Sequence, residues 1–226
     1  MTRLDRAFVW TGGGLFVAAL AGCAWWYLVK LGRVRPGAGW PPVAWDAALV
    51  TIFALHHSLF ARDSIKQRLG AIPARLLRSV YVWIASLLLI LVCAVWQPIG
   101  TEFYDAAGAT AVTAAIVQLS GVLLIARAVA RIDPLELAGI HPSRPADALQ
   151  ADGPYRWVRH PLYLGWILAV FGAGHLTGDR LAFAVLTSIY LVVAVPLEER
   201  SLRRSFGDEY ARYQRVVRWR IIPFLY

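Results

Sequence analysis

Six apolar runs, each near the length of a bilayer crossing, constrain this chain more than any other feature. A membrane-spanning helix needs about 20 predominantly apolar residues, because each residue advances about 1.5 Å through a hydrocarbon layer roughly 30 Å thick. The runs extend from Phe8 to Val29, Val43 to Phe60, Val80 to Trp96, Ala109 to Val129, Pro161 to Thr177 and Leu181 to Leu197. Only Gly178, Asp179 and Arg180 separate the last two, a spacing that predicts a tight antiparallel helical hairpin. The expected fold class is all-α: a polytopic transmembrane helical bundle of about six spans that ends in this hairpin and a cytoplasmic interfacial tail. A single integral membrane domain accounts for residues 1–226, with four transmembrane helices in 1–130 and a loop, the hairpin and the tail in 131–226.

Charge sets the orientation. Hydrophobic residues make up 58% of the chain, yet its net charge is +9, so the few charges between apolar runs are mostly basic, as suits loops lying on anionic headgroups. Nucleic-acid binding needs a basic stripe on a polar surface, and none is present, so no nucleic-acid partner is expected. The loop from Arg62 to Arg78 carries Arg62, Lys66, Arg68, Arg75 and Arg78 against Asp63, which places it on the cytoplasmic side. The stretch Arg131 to Arg159 and the tail after Leu197 are also rich in Arg. Both termini then face the cytoplasm across the cell's inner membrane, although Lys30, Arg33 and Arg35 run against this scheme. In the tail, Phe206, Tyr210, Tyr213, Trp219 and Phe224 alternate with charges, which describes a helix lying among headgroups. Trp10, Trp40, Trp45 and Trp96 read as interfacial belt residues. Cys23 and Cys93 are 70 positions apart within apolar runs, a spacing that suggests neither a disulfide framework nor a thiolate metal site, and no metal is expected. Leu20-Ala21-Gly22-Cys23 has the form of a lipoprotein signal, but the apolar run continues past it through Trp25, Trp26 and Val29.

The densest cluster of reactive residue types is Gly153-Pro154-Tyr155-Arg156-Trp157-Val158-Arg159-His160-Pro161-Leu162-Tyr163-Leu164-Gly165, where a polar loop enters the fifth run. Pro161 suits a first helical turn, whose free N–H groups would join Arg159 and His160 in attracting a carboxylate or phosphate. Gly165, one turn on, would let a flat ligand approach the backbone. Glu198 and Glu199 stand at the far end of the hairpin, which returns the chain to its starting face. Two carboxylates at a membrane boundary call for a cation. A ligand with both an anionic and a cationic group fits between the two clusters, and the aminoacyl end of S-adenosylmethionine is such a group.

Arg159-His160-Pro161-x-Tyr163-x-Gly165, followed by Glu198-Glu199, resembles the signature of the integral-membrane methyltransferases, which include isoprenylcysteine carboxyl methyltransferase and the phospholipid N-methyltransferases. The resemblance extends over Gly153 to Tyr226. It implies S-adenosylmethionine as methyl donor, with contacts from His160, Tyr163, Gly165 and Glu199, so the donor is expected between Tyr155–Gly165 and Glu198-Glu199. Upstream, His57-Ser58-Leu59-Phe60-Ala61-Arg62, Arg78-Ser79-Val80-Tyr81 and Trp96-Gln97-Pro98 resemble the branch holding bacterial methanethiol S-methyltransferases and membrane proteins associated with nitric-oxide reduction. Ile132-Asp133-Pro134-Leu135-Glu136-Leu137 departs from that branch, which leaves the acceptor open among thiol, carboxylate and amine, with thiol favoured.

Arg127 and Arg131, one turn apart, and Arg203 are candidates to orient an anionic nucleophile and lower a thiol's pKa; snorkelling anchors are the other reading. One of the two glutamates is expected to pair with Arg203 or Arg200. The alternative to an enzyme is a membrane subunit that binds haem or a respiratory partner through His56, His57 or His160. Adjacent histidines point in different directions on a helix, which disfavours a shared metal at His56 and His57.

Overall fold

The computed structural model describes residues 1–39, 41–60, 72–131, 133–141 and 148–226. Trp40, Ala61, Arg62, Asp63, Lys66, Arg68 and Ile132 lie outside the described residues. Helices α1 (Arg3–Trp25), α2 (Pro41–Phe60), α3 (Ala74–Val95), α4 (Gly108–Val129), α6 (Pro161–Phe171) and α7 (Gly178–Val216) follow the six apolar runs in order. A short α5 (Pro134–Leu137) lies between α4 and α6 in sequence, a π-helical turn (Trp26–Lys30) extends α1, and strands β1 (Glu102–Asp105) and β2 (His175–Thr177) pair. The architecture is an all-α membrane bundle. Among the described residues, four segments are long and apolar enough to cross a bilayer: Arg3–Lys30, Arg75–Val95, Gly108–Val129 and Gly178–Val216. The fifth run departs from expectation. Its helix stops at Phe171 after 11 residues, about 16 Å, and the remainder of the run is taken up by Gly172 and β2.

Two compact units divide the chain: Met1–Glu102 with Ile132–Arg144 and Thr177–Asp179, and Phe103–Arg131 with Pro145–Leu176 and Arg180–Tyr226. In the first, a capping box between Thr2 and Asp5 starts α1. α1 packs beside α3: Arg75 bridges to Asp5 at 3.0 Å, and the Trp83 indole stacks on Phe8 and donates to its carbonyl. The segment after α5 wedges against both helices. Gly139 (φ 71°) lies on Val82 and accepts from the Ser79 hydroxyl at 2.5 Å, while Ile140 fills the space beside Gly13. At the other end of α3, Asp179 accepts from the Trp96 indole (2.9 Å) and the Ile99 N–H (3.2 Å). Trp96 is therefore buried against a carboxylate, not a belt residue, whereas Trp10 and Trp45 are exposed.

In the second unit, α4 and α6 cross at glycines. A Cβ at Gly121 would come within 2.5 Å of the Ala169 nitrogen and the Gly165 oxygen, and one at Gly172 within 2.6 Å of the Gln118 nitrogen. Small residues let helix backbones approach where lipid offers no hydrophobic drive. α6 and α7 form the predicted antiparallel hairpin, since the Trp166 indole donates to Thr187 and Tyr163 reaches Glu198. α7 is 39 residues long, about twice what a crossing needs, so its part beyond Leu197 stands outside the hydrocarbon. At Gly207 the backbone leaves helical geometry (φ 50°, ψ −123°) and the chain doubles back. Gln214 consequently meets both Arg203 and Glu199, 11 and 15 positions earlier, and Tyr210, Tyr213 and Val217 bury against Leu202 and Phe206. The tail tyrosines thus form a small core, where the sequence pattern suggested a helix among headgroups.

Gly121→Ala should destabilise the protein by about 1–3 kcal/mol, because the atoms its methyl meets are backbone and cannot move aside. Gly14→Ala, whose Cβ meets nothing within 4 Å, should be neutral or slightly stabilising. Thermal melting of the two variants in detergent checks the contrast, and equal melting temperatures would contradict the crossing.

Candidate active site

His160 caps α6 and Pro161 opens it, as the His-Pro pair predicts. The turn before the helix is tied to the C-terminal segment: the Arg159 N–H donates to the Trp219 carbonyl (2.9 Å) and the His160 N–H to that of Arg220 (2.8 Å). The first-turn donors expected to meet an anion are partly used, because the N–H groups of Tyr163 and Leu164 turn to the His160 carbonyl.

The Arg159 side chain is buried and engaged through both Nε and Nη1. Its Nε donates to Glu199 Oε1 at 2.6 Å, and its Nη1 to the carbonyls of Val217 and Arg218 at 2.8 and 2.7 Å, where the C-terminal end of α7 leaves acceptors unpaired. Glu199, also buried, takes a further bond from Gln214 (3.2 Å) on Oε2, with Arg220 Nε 3.5 Å away. Among the described residues neither glutamate pairs with Arg203 or Arg200; Arg203 donates to Gln214 instead. Glu198 differs from its neighbour. It is 49% exposed, accepts from the Tyr163 hydroxyl, and lies 3.3 Å from His160 Nδ1. Neighbours on a helix diverge by about 100°, so one carboxylate points inward and the other out. His160 sits between them, with Nε2 3.5 Å from Glu199 at the outer limit of a hydrogen bond, and its ring stacks on Tyr163 (5.3 Å, 17°).

These contacts move the titrations apart. Burial resists charging His160, but hydrogen bonds and charge from Glu198 and Glu199 outweigh it and hold the imidazole pKa above its ordinary value. Burial likewise opposes ionisation of Glu199, yet His160 and Arg159 bring its pKa down to about 2. Burial, then the charge on Glu198, raises the Tyr155 hydroxyl; burial, then Glu199, raises that of Tyr210. The Tyr155 carbonyl accepts from Tyr213, and the buried Tyr210 hydroxyl, beside Glu199 and Arg159, meets the geometry of a hydrogen bond with no partner among the described residues.

A cavity of about 260 Å³ opens against Glu199, lined by Pro196, Arg200, Arg203, Gln214 and Arg220. With three guanidiniums to one carboxylate, it favours an anionic group. Tyr155, Arg159, His160, Tyr163, Glu198 and Glu199 are thus brought together. Pro161 opens the helix behind them, while Gly165 faces α4, where a Cβ would lie 2.8 Å from the Gly121 oxygen; the space expected for a ligand is filled by a helix. Arg127 lies in the last turn of α4 and Arg131 beside Gly153, both exposed. Gln214 and Arg220 escaped sequence reasoning as site residues, because only the reversal at Gly207 carries them to Glu199. His56 and His57 engage Tyr81, through its carbonyl (3.3 Å) and its hydroxyl (2.7 Å) respectively.

Residues 138–204 match the isoprenylcysteine carboxyl methyltransferase (ICMT) family. With this match, the fold and the site define the class: an integral-membrane methyltransferase. The chain is 33% identical over 195 residues to the methanethiol S-methyltransferase of Pseudomonas deceptionensis, covering 80% of this chain and 74% of that one. It is 37% identical over 179 residues to methanethiol S-methyltransferase 1 of Bradyrhizobium diazoefficiens (75% and 63% covered) and 28% identical over 179 residues to Nurim of Sus scrofa (72% and 68%). No solved structure matches. The chain belongs to the isoprenylcysteine carboxyl methyltransferase-like family of membrane methyltransferases.

The two shifts set a pH window. Glu199, depressed when folded, stabilises fully above its ordinary value of 4.5 and loses that contribution as pH falls toward about 2. His160, raised when folded, stabilises fully below its ordinary 6.5 and loses that contribution as pH rises through the folded value. The melting temperature should therefore be highest between 4.5 and 6.5. His160→Gln should remove the alkaline decline and keep the acid one; an unchanged alkaline decline in that variant would sink the assignment.

Proposed function

We propose that this membrane methyltransferase takes its methyl group from S-adenosylmethionine and passes it to a small or lipophilic acceptor, a thiol before a carboxylate or amine. The carrying observation is a basic cavity that closes on Glu199, whose neighbour in the chain, Glu198, is a half-exposed carboxylate. A donor with an α-carboxylate, an ammonium and a sulfonium needs both signs of charge within a few ångströms. The residues present fit it: Arg200, Arg203 and Arg220 suit the carboxylate, and Glu198 suits the cationic groups. The Tyr210 hydroxyl, without a hydrogen-bond partner among the described residues, offers a further polar contact. Tyr155, Arg159, His160, Pro161, Tyr163 and Glu199 surround these groups, with Gly165 behind them. Bound there, S-adenosylmethionine supplies a methyl on a positively charged sulfur, open to in-line displacement.

The chain's own residues position and bias that displacement. Arg159 and Glu199 hold the turn, the helix end and the tail in one geometry, so the groups around the ligand need not reorganise. Glu198 keeps negative charge where the donor is cationic. Arg127, Arg131 and Arg203 would raise the thiolate fraction of an acceptor that comes near them. The thiol preference rests on the relatives whose names carry methanethiol as their substrate. The cytoplasmic orientation of this site and of both termini, in the cell's inner membrane, follows the arginine-rich loops.

Purified protein given S-adenosylmethionine and methanethiol should release dimethyl sulfide, measured by headspace gas chromatography. Glu198→Gln should weaken donor binding roughly tenfold or more, the loss of one charge-assisted bond, with the melting temperature little changed. Donor affinity equal to the unmodified protein's would remove Glu198 from the site. A protein that binds the donor but leaves methanethiol untouched would refute the acceptor and keep the donor.

A further inference from the structure

α1 and α3 keep one register along their shared face. Asp5 meets Arg75, a Cβ on Gly12 would meet Trp83, and Trp26 packs edge-on against Trp96 at 5.5 Å, all at offsets of 70 or 71 positions. Parallel helices of equal pitch hold such an offset along their length, and it sets Cys23 opposite Cys93. The two side chains are neighbours across the helix pair. Cys23 is buried and Cys93 half-buried, and the chain has no other cysteine. A 70-residue separation argued against pairing in the sequence, yet helix packing brings the two thiols together.

The surroundings decide what can react with them. Leu20 and Ile90, each three positions before a cysteine and so on the same helix face, are exposed large apolar residues, the surface a span presents to lipid. Water-soluble oxidants and thiols partition poorly into hydrocarbon, whereas quinones dissolve in it. Thiols held on two neighbouring helices can be bridged when their Cα atoms approach to about 4.4–6.8 Å, a range compatible with side-chain contact.

We propose that Cys23 and Cys93 form a two-electron redox site that a bilayer quinone oxidises to an intramolecular disulfide. Two S–H bonds break and one S–S bond forms; the two electrons and two protons pass to the quinone, which leaves as the quinol. The bond joins α1 to α3 near one end, as the Asp5–Arg75 ion pair joins them near the other.

The test uses the full chain in lipid nanodiscs, exposed to a quinone substituted at every ring position so that thiols cannot add to the ring. Alkylation under denaturing conditions, followed by mass spectrometry, should find both cysteines protected and their peptides joined, lighter by two hydrogens, with reversal by dithiothreitol. Closing so long a loop should raise the melting temperature by roughly 5 °C or more. Cys23→Ser and Cys93→Ser should each leave the remaining thiol open to alkylation and abolish the quinone-dependent rise in melting temperature. Full alkylation of both cysteines after quinone treatment, or disulfides formed only between separate copies, would overturn the proposal. Thiol state and melting are read without methyl transfer, so this outcome stands apart from that of the proposed function.

Discussion

The buried pair between Arg159 and Glu199 is the interaction on which the rest of the second unit depends. Two charges withdrawn from water cost several kcal/mol each, and their attraction repays this only when every remaining donor and acceptor is also satisfied. Here they are. Arg159 serves Glu199 and two helix-end carbonyls, while Glu199 takes bonds from Arg159 and Gln214 and lies near Arg220 and His160. The pair joins segments 40 and 58 positions apart, so the turn before α6, the extension of α7 and the folded-back tail are fixed by one set of bonds.

The geometry also gives separate work to two adjacent glutamates. Glu199 is enclosed by cations and amides, and its charge is spent on architecture. Glu198, turned outward on the same helix, holds among the described residues a tyrosine hydroxyl and one edge of His160, which leaves a half-exposed carboxylate with capacity to spare. His160 touches both, so the protonation of one imidazole is felt by the structural and the exposed carboxylate together. This arrangement explains why the residue type is repeated, which a single ion pair would not require.

Much of this was legible beforehand, and the failures have physical causes. Apolar length located α1 to α4 and α7, and the His-Pro pair marked the start of α6, because burial in lipid and proline's missing N–H both act locally. What failed depended on partners. Gly165 suggests ligand space in the sequence, but a glycine on a span serves equally to admit a neighbouring backbone, and only the presence of Gly121 decides between them. Trp96 has the character of a belt residue until Asp179 is seen to accept its N–H. Arg203 stands four positions after Glu199 and still bonds Gln214, since Glu199 is already occupied by an arginine 40 positions earlier. The tail's alternation of aromatics and charges reports an amphipathic helix without saying which surface covers it. Gly207, with its positive φ, turns that face back on α7.

α7 itself carries the logic one step further. Asp179 in its first turn and Glu199 stand 20 positions apart, the length that crosses a hydrocarbon layer of about 30 Å. Each is buried, and each is satisfied by groups from outside the helix: Trp96 and Ile99 for Asp179, Arg159 and Gln214 for Glu199. A carboxylate at the first turn also gains from the helix dipole, whereas one at the far end does not and requires cations. The distribution of arginine follows from that asymmetry. Asp179 has two N–H donors and one arginine, Arg35, at 3.5 Å, while Glu199 has two arginines and a histidine close by. The excess of positive charge at the Glu199 end is thus first a condition for ending the span with a buried anion. Its surplus, on Arg200, Arg203 and Arg220, is what the cavity has to offer a ligand.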